Sequence, residues 1–139
     1  MASTMQVEVV SAETELYSGL ATMVIATAEA GDVGILPRHT PLLTRLKPGD
    51  VRVIKEDGEE ELIYVSGGIL EVTPTVVTVL ADTAIRAHDI DEAAALEAQQ
   101  KAEQALKDSK ADMDYARTRA QLAQAVAQLR ALKKIKKIR

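Results

Sequence analysis

The chain has 139 residues, 47% of them hydrophobic, and a formal net charge of −4. It contains no Cys, Trp or Phe and three Tyr; disulfides, thiolate metal sites and cysteine nucleophiles are excluded, and the core must be built from Val, Ile, Leu and Ala. The N-terminal residues lack the basic stretch and apolar run of a secretory leader, and no segment approaches the ~18 consecutive apolar residues of a membrane span.

From Met5 to about Ile85, short runs rich in Val, Ile, Leu and Thr alternate with Gly, Pro and Asp. Strands are expected at Gln6–Val10, Thr22–Thr27, Val51–Lys55, Glu61–Ser66, Ile69–Val72 and Val76–Leu80, with shorter ones near Gly34–Leu36 and Leu42–Arg45. Glu56-Asp57-Gly58-Glu59 reads as a hairpin loop, because Asp-Gly readily accepts positive φ. Thr73-Pro74-Thr75 reads as a second turn. Gly31, Gly34, Gly67 and Gly68 are expected at bulges or positive-φ turns.

The pattern changes at Asp89. Asp89-Ile90-Asp91-Glu92 resembles a capping box with Asp89 as N-cap, and Ala93 to Lys107 contains no Gly, Pro or β-branched residue. Asp108-Ser109-Lys110-Ala111-Asp112 interrupts the helix, and Asp112 or Asp114 can cap a second one. In that helix Tyr115, Leu122, Val126, Leu129 and Leu132 are expected to form one apolar stripe. The small residues Ala94, Ala98, Ala102 and Ala105, with Ala116, Ala120, Ala123 and Ala127, allow close helix contact but bury little area each, so the hairpin is expected to be weakly held. Charge is divided along the chain. Residues 1–100 carry 6 basic and 17 acidic side chains, a net of −11, whereas residues 101–139 carry 11 basic and 4 acidic, a net of +7.

The fold class expected is α+β. An N-terminal antiparallel β-sandwich of about ten strands, residues 1–86, precedes a C-terminal two-helix antiparallel hairpin, residues 87–139.

Specific residue blocks then narrow the reading. Gly31-Asp32-Val33-Gly34-Ile35-Leu36-Pro37-Arg38-His39-Thr40-Pro41-Leu42 is followed by Leu46-Lys47-Pro48-Gly49, and later by Tyr64-Val65-Ser66-Gly67-Gly68-Ile69-Leu70-Glu71-Val72. With Val9-Val10-Ser11-Ala12-Glu13 and Tyr17-Ser18-Gly19, these blocks resemble the epsilon subunits of bacterial F-type ATP synthases in unbroken order across essentially the whole chain. The resemblance implies a non-catalytic rotor subunit of a proton-translocating motor, peripheral at the cytoplasmic face of the plasma membrane. It further implies that the sandwich couples the gamma subunit to the c-ring, and that the hairpin can extend toward the alpha and beta subunits and restrain ATP hydrolysis.

On that reading Glu29, Gly31, Asp32, Arg38 and His39 are the contact candidates for the c-ring and gamma, with Asp32 placed at the ring; a solvated turn is the plain alternative. The inhibitory contacts implied are Arg117, Arg119, Arg130, Lys133, Lys134, Lys136, Lys137 and Arg139. A solvated face is the plain alternative for those cations. Nucleic acid is disfavoured, because the first 100 residues are acidic and no aromatic stacking platform exists.

Some family members bind regulatory ATP through Ile/Leu-Asp-x-x-Arg-Ala. Here the match is Ile90, Asp91, Ala94 and Ala95, and Ala94 stands where the arginine should be. The forked cation suited to phosphate is missing, so no cofactor is expected. His39 and His88 are too few for a metal site, and His39 reads as a packed loop histidine more readily than as a general base. No metal and no catalytic residue are therefore expected. The alternative function is a ligand-sensing module in which the hairpin closes over a small molecule; a stand-alone enzyme lacks any reactive constellation.

Overall fold

The computed structural model describes residues 3–108 and 112–138. The chain divides into two compact units, Met1–Arg86 and Ala87–Arg139. The first contains β1 Met5–Ser11, β2 Glu15–Ala28, β3 Gly31–Ile35, β4 Leu42–Lys55, β5 Glu60–Val65, β6 Gly68–Val72, β7 Val76–Ala81 and β8 Ala84–Arg86.

Among the described residues eight strands are present where about ten were expected, and the geometry of two of them explains the difference. β2 and β4 are each 14 residues long and take part in both layers of the sandwich. The first half of β2 pairs with β1 and its second half with β3 and β4. Likewise, Leu42–Leu46 of β4 pairs with β6, whereas Gly49–Ile54 pairs with β5. One layer is thus β2-β1-β7-β6-β4 and the other β3-β2-β4-β5-β8. Lys47-Pro48-Gly49 is the bend at which β4 passes from one layer to the other. Proline is tolerated there because the ladder is interrupted. Gly49 is required by close approach: a Cβ at this position would lie 2.7 Å from the Thr27 Cβ.

All strand pairs are antiparallel except β1 with β7, which is parallel. Alternating residues such as Val7, Val9, Val77 and Val79 are fully buried between the layers with Val24, Ile35, Val51, Val53 and Leu70. Gly31, Gly67 and Gly68 adopt positive φ, but Gly34 does not. At Gly68, φ is +140° and a Cβ would run into the Leu80 carbonyl. Arg86 fixes the last strand: its guanidinium donates to the Leu16 carbonyl at 2.7 Å and lies 3.7 Å from Glu61.

The second unit opens with a 3-10 turn, Ala87–Asp89, followed by α1 Glu92–Asp108 and α2 Asp112–Ile138. The N-cap is Asp91 and not Asp89. The Ala94 N–H donates to Asp91 Oδ1 at 3.1 Å, and the Ala95 N–H donates to the Asp91 carbonyl at 3.0 Å, closing the first helical turn. Asp89 instead ends the 3-10 turn, in which the Ile90 N–H reaches the Ala87 carbonyl.

α1 and α2 pack as an antiparallel hairpin. The buried positions of α1 are Ala95 and Ala102, with Gln99 and Leu106 half-buried between and after them. On α2 the inward stripe runs Thr118, Leu122, Ala125, Leu129 and Leu132. Val126 is half-buried like Leu122 and Leu129, and Ala125, Ala127 and Ala131 are buried beside them, so the inward face contains the expected stripe from Leu122 to Leu132 and is broader than it. Ala94, Ala98, Ala105, Ala116, Ala120 and Ala123 are exposed. The side chains of Asp112, Asp114 and Tyr115 lie outside the described residues.

Candidate functional site

The five contact candidates between Glu29 and His39 do not form one loop. Residues 31–35 are a strand, β3: Gly31 and Asp32 open it, next to Glu29, and Arg38 and His39 follow its far end. At about 3.3 Å per residue, its two ends are about 13 Å apart. The first group forms the β2–β3 turn, where the Glu29 N–H donates to the Arg45 carbonyl. The second group lies beside the Thr73–Thr75 turn, where the Arg38 N–H donates to the Pro74 carbonyl at 2.9 Å. Glu29, Gly31, Asp32 and Arg38 are exposed, and His39 is half-buried. Nδ1 of His39 lies 2.6 Å from the Thr40 carbonyl, so it carries the proton and donates.

Sequence reasoning missed an apolar band on the outer face of the β2-β1-β7-β6-β4 layer. Ile69, Leu80 and Val10 are direct cross-strand neighbours on β6, β7 and β1. Ile69 and Leu80 are 42% and 46% exposed; Leu43, 71% exposed on the same face, is set apart from them by Arg45, the partner of Ile69, and by Glu71, its own partner. A groove of about 510 Å³ lies at Leu43, lined by Pro41, Leu42, Leu43, Glu71, Val72 and Thr73. The alternation within each strand contained the clue: with Leu70 and Val79 inward, Ile69 and Leu80 must point outward.

On the hairpin, Ile90 and Ala95 are buried and Asp91 and Ala94 exposed. Asp91 is occupied as a helix cap, and Ala94 offers its N–H to that cap. The cleft between α1 and α2, about 480 Å³, lies further along, lined by Ala98, Ala102, Ala105 and Ala125 with Gln121, Gln124, Gln128 and Lys101. Lys101 is 3.0 Å from Glu97. Among the described residues no group of three or more His, Asp or Glu could hold a metal ion.

Along α2, Arg117, Arg119, Arg130, Lys133 and Lys134 are all exposed. Arg119, Arg130 and Lys134 are separated by 11 and 4 residues, close to whole helical turns, and so share one face. Arg117 lies on another. The side chains of Lys136 and Lys137, and all of Arg139, lie outside the described residues. No helix among the described residues is long and apolar enough to cross a membrane.

A rigid β-sandwich with an exposed apolar band, joined to a cationic helical hairpin, defines a docking module. The family model for the beta-sandwich domain of the ATP synthase delta/epsilon chain matches residues 4–87, and that for its long alpha-helix domain matches residues 88–133. The chain belongs to the ATP synthase epsilon chain family. It is 62% identical over 137 residues to the ATP synthase epsilon chain of Nitrosococcus oceani, covering 99% of this chain and 98% of the relative. It is 60% identical to that of Halorhodospira halophila, covering 97% and 96%. Among solved structures, the fold matches a chain of the Euglena gracilis mitochondrial ATP synthase, OSCP/F1/c-ring, with a TM-score of 0.84 at 20% identity, over 93% of this chain and 81% of that one. A chain of the Tetrahymena thermophila mitochondrial ATP synthase central stalk and c-ring matches with a TM-score of 0.65 at 12% identity, over 92% and 96%.

Proposed function

We propose that this chain is a non-catalytic rotor subunit that joins the gamma subunit to the c-ring of a proton-translocating ATP synthase, at the cytoplasmic face of the bacterial plasma membrane. The observation that carries the reading is the apolar band of Ile69 and Leu80, with Leu43 on the same face, on an otherwise well-packed layer. Large apolar side chains grouped on a rigid sheet face are what a permanent partner covers. Gamma is assigned to this band. The polar turn of Glu29, Gly31 and Asp32 is assigned to the c-ring, because it presents exposed backbone and carboxylates at another edge of the sandwich.

The hairpin is the regulatory part. Most of its buried positions are alanines, each contributing little apolar area, so the energy holding the pair together is small. In the extended state the face of Arg119, Arg130 and Lys134, with Lys133 beside it, Arg117 on the opposite side of the helix and Lys136, Lys137 and Arg139 later in sequence, meets acidic surfaces of the alpha and beta subunits and blocks rotation in the hydrolysis direction. Truncation after Lys110 tests this in the reconstituted complex. ATP hydrolysis is expected to rise while the chain still assembles; unchanged hydrolysis rejects the brake.

The hairpin is further proposed not to bind ATP, since Asp91 is engaged as a cap and Ala94 supplies no cation. Titration of the full chain with Mg-ATP, followed by nuclear magnetic resonance, is expected to leave the Asp91 region unshifted. Saturable micromolar shifts there would instead support the ligand-sensing alternative.

A further inference from the structure

Arg38 is the one non-glycine residue with positive φ among the described residues, at +67°. It follows Pro37 in a four-residue turn closed by the His39 N–H donating to the Leu36 carbonyl at 3.2 Å. Proline followed by a positive-φ residue is the type II order, which normally calls for Gly or Asn in the position Arg38 occupies. The ordinary alternative, a type I turn, differs by a flip of the peptide between Pro37 and Arg38. That flip would turn the Arg38 N–H away from the Pro74 carbonyl, to which it donates at 2.9 Å. The backbone therefore fixes the strained conformation whatever the side chain, and glycine would adopt it with less strain.

The Arg38 side chain does not repay that strain within the chain. It is exposed, and among the described residues its guanidinium makes no hydrogen bond or ion pair. The turn that anchors it, Thr73–Thr75, also borders the groove in which Leu43 and Glu71 lie. A strained residue whose side chain has no role inside its own chain points to a role outside it. We propose that Arg38 is a specificity-determining contact of the apolar band, pairing with an Asp or Glu carboxylate on the gamma segment that covers Leu43. The guanidinium fork matches a carboxylate through two N–H donors, and an apolar groove beside it excludes water from the pair. An anionic bilayer is the less suitable occupant, because it recruits clusters of several cations, whereas the residues lining the groove beside Arg38 include no second cation.

This inference rests on the docking of gamma to the band, and the test separates the two. Purified gamma is titrated with the full-length chain, wild type, R38G, R38N and R38K, at low and high salt. Asn tolerates positive φ without a charge, so it separates loss of the cation from relief of strain. The expected result is that R38G and R38N bind roughly tenfold more weakly at low salt, with the gap narrowing at high salt, and R38K falls between. R38G is also expected to unfold at a higher denaturant concentration than wild type, which excludes misfolding as the cause. Equal binding by wild type, R38G and R38N overturns the inference while leaving gamma docking intact. Failure of the wild type to bind overturns both. Binding of the wild type to phosphatidylserine vesicles that R38G loses, with gamma affinity unchanged, assigns Arg38 to a lipid surface and overturns the carboxylate assignment.

Discussion

The hydroxyl of Tyr64 is buried and has no hydrogen-bond partner, and its desolvation pushes the pKa up to about 12. In the unfolded chain the phenol ionises near 10, so between pH 10 and 12 the unfolded state sheds a proton that the folded state retains. The stability present below pH 10 is then lost as pH rises through this window, by up to about 2 kcal/mol. Tyr64→Phe removes both the unmet donor and this pH dependence. It is expected to stabilise the fold by about 1 kcal/mol at pH 7 and to flatten the decline above pH 10, checked by urea unfolding at pH 7 and pH 11. Gly68 shows the opposite sensitivity. Gly68→Ala combines a forbidden φ with a clash against the Leu80 backbone and is expected to cost about 3 kcal/mol, read from the unfolding midpoint.

Among the secondary-structure elements, the start of α1 best shows how local chemistry fixes a boundary. Asp89 and Asp91 are both acids ahead of an Ala-rich run, and Asp89 with Glu92 has the spacing of a capping box. The 3-10 turn of Ala87–Asp89 settles the choice, because it uses the Ala87 carbonyl and delays helix entry until Asp91. Asp91→Ala is expected to cost about 1 kcal/mol in the hairpin, seen as faster amide exchange in the first turn of α1, whereas Asp89→Ala should leave exchange there unchanged. The inward stripe of α2 has an equally plain cause. Leu122, Val126, Leu129 and Leu132 carry the area available for burial, so the helix turns them inward, and Ala125, Ala127 and Ala131 are buried beside them.

At the scale of the whole molecule, the outer band and the core make opposite predictions. Ile69 and Leu80 are about half exposed, so Ile69→Ser or Leu80→Ser should change the unfolding free energy by no more than about 0.5 kcal/mol. The same substitutions should weaken gamma binding by roughly tenfold or more, if the band is the docking face. Titration of gamma with these variants, beside their urea midpoints, checks both halves; a loss of stability without a loss of binding would mark the band as structural.

The amino-acid sequence by itself determined the two-part organisation, most strand positions and the family, because these depend on local period, turn residues and blocks such as Gly31–Leu42 and Tyr64–Val72. It could not reveal that β2 and β4 each serve both layers. Pro48-Gly49 becomes a bend within a strand only when β5, β6 and β2 supply partners on either side of it. The strain at Arg38 likewise comes from the Pro74 carbonyl, 36 residues away in sequence. Tertiary structure decided these points because hydrogen bonds and close contacts between distant segments select among backbone conformations that are locally near-equal in energy.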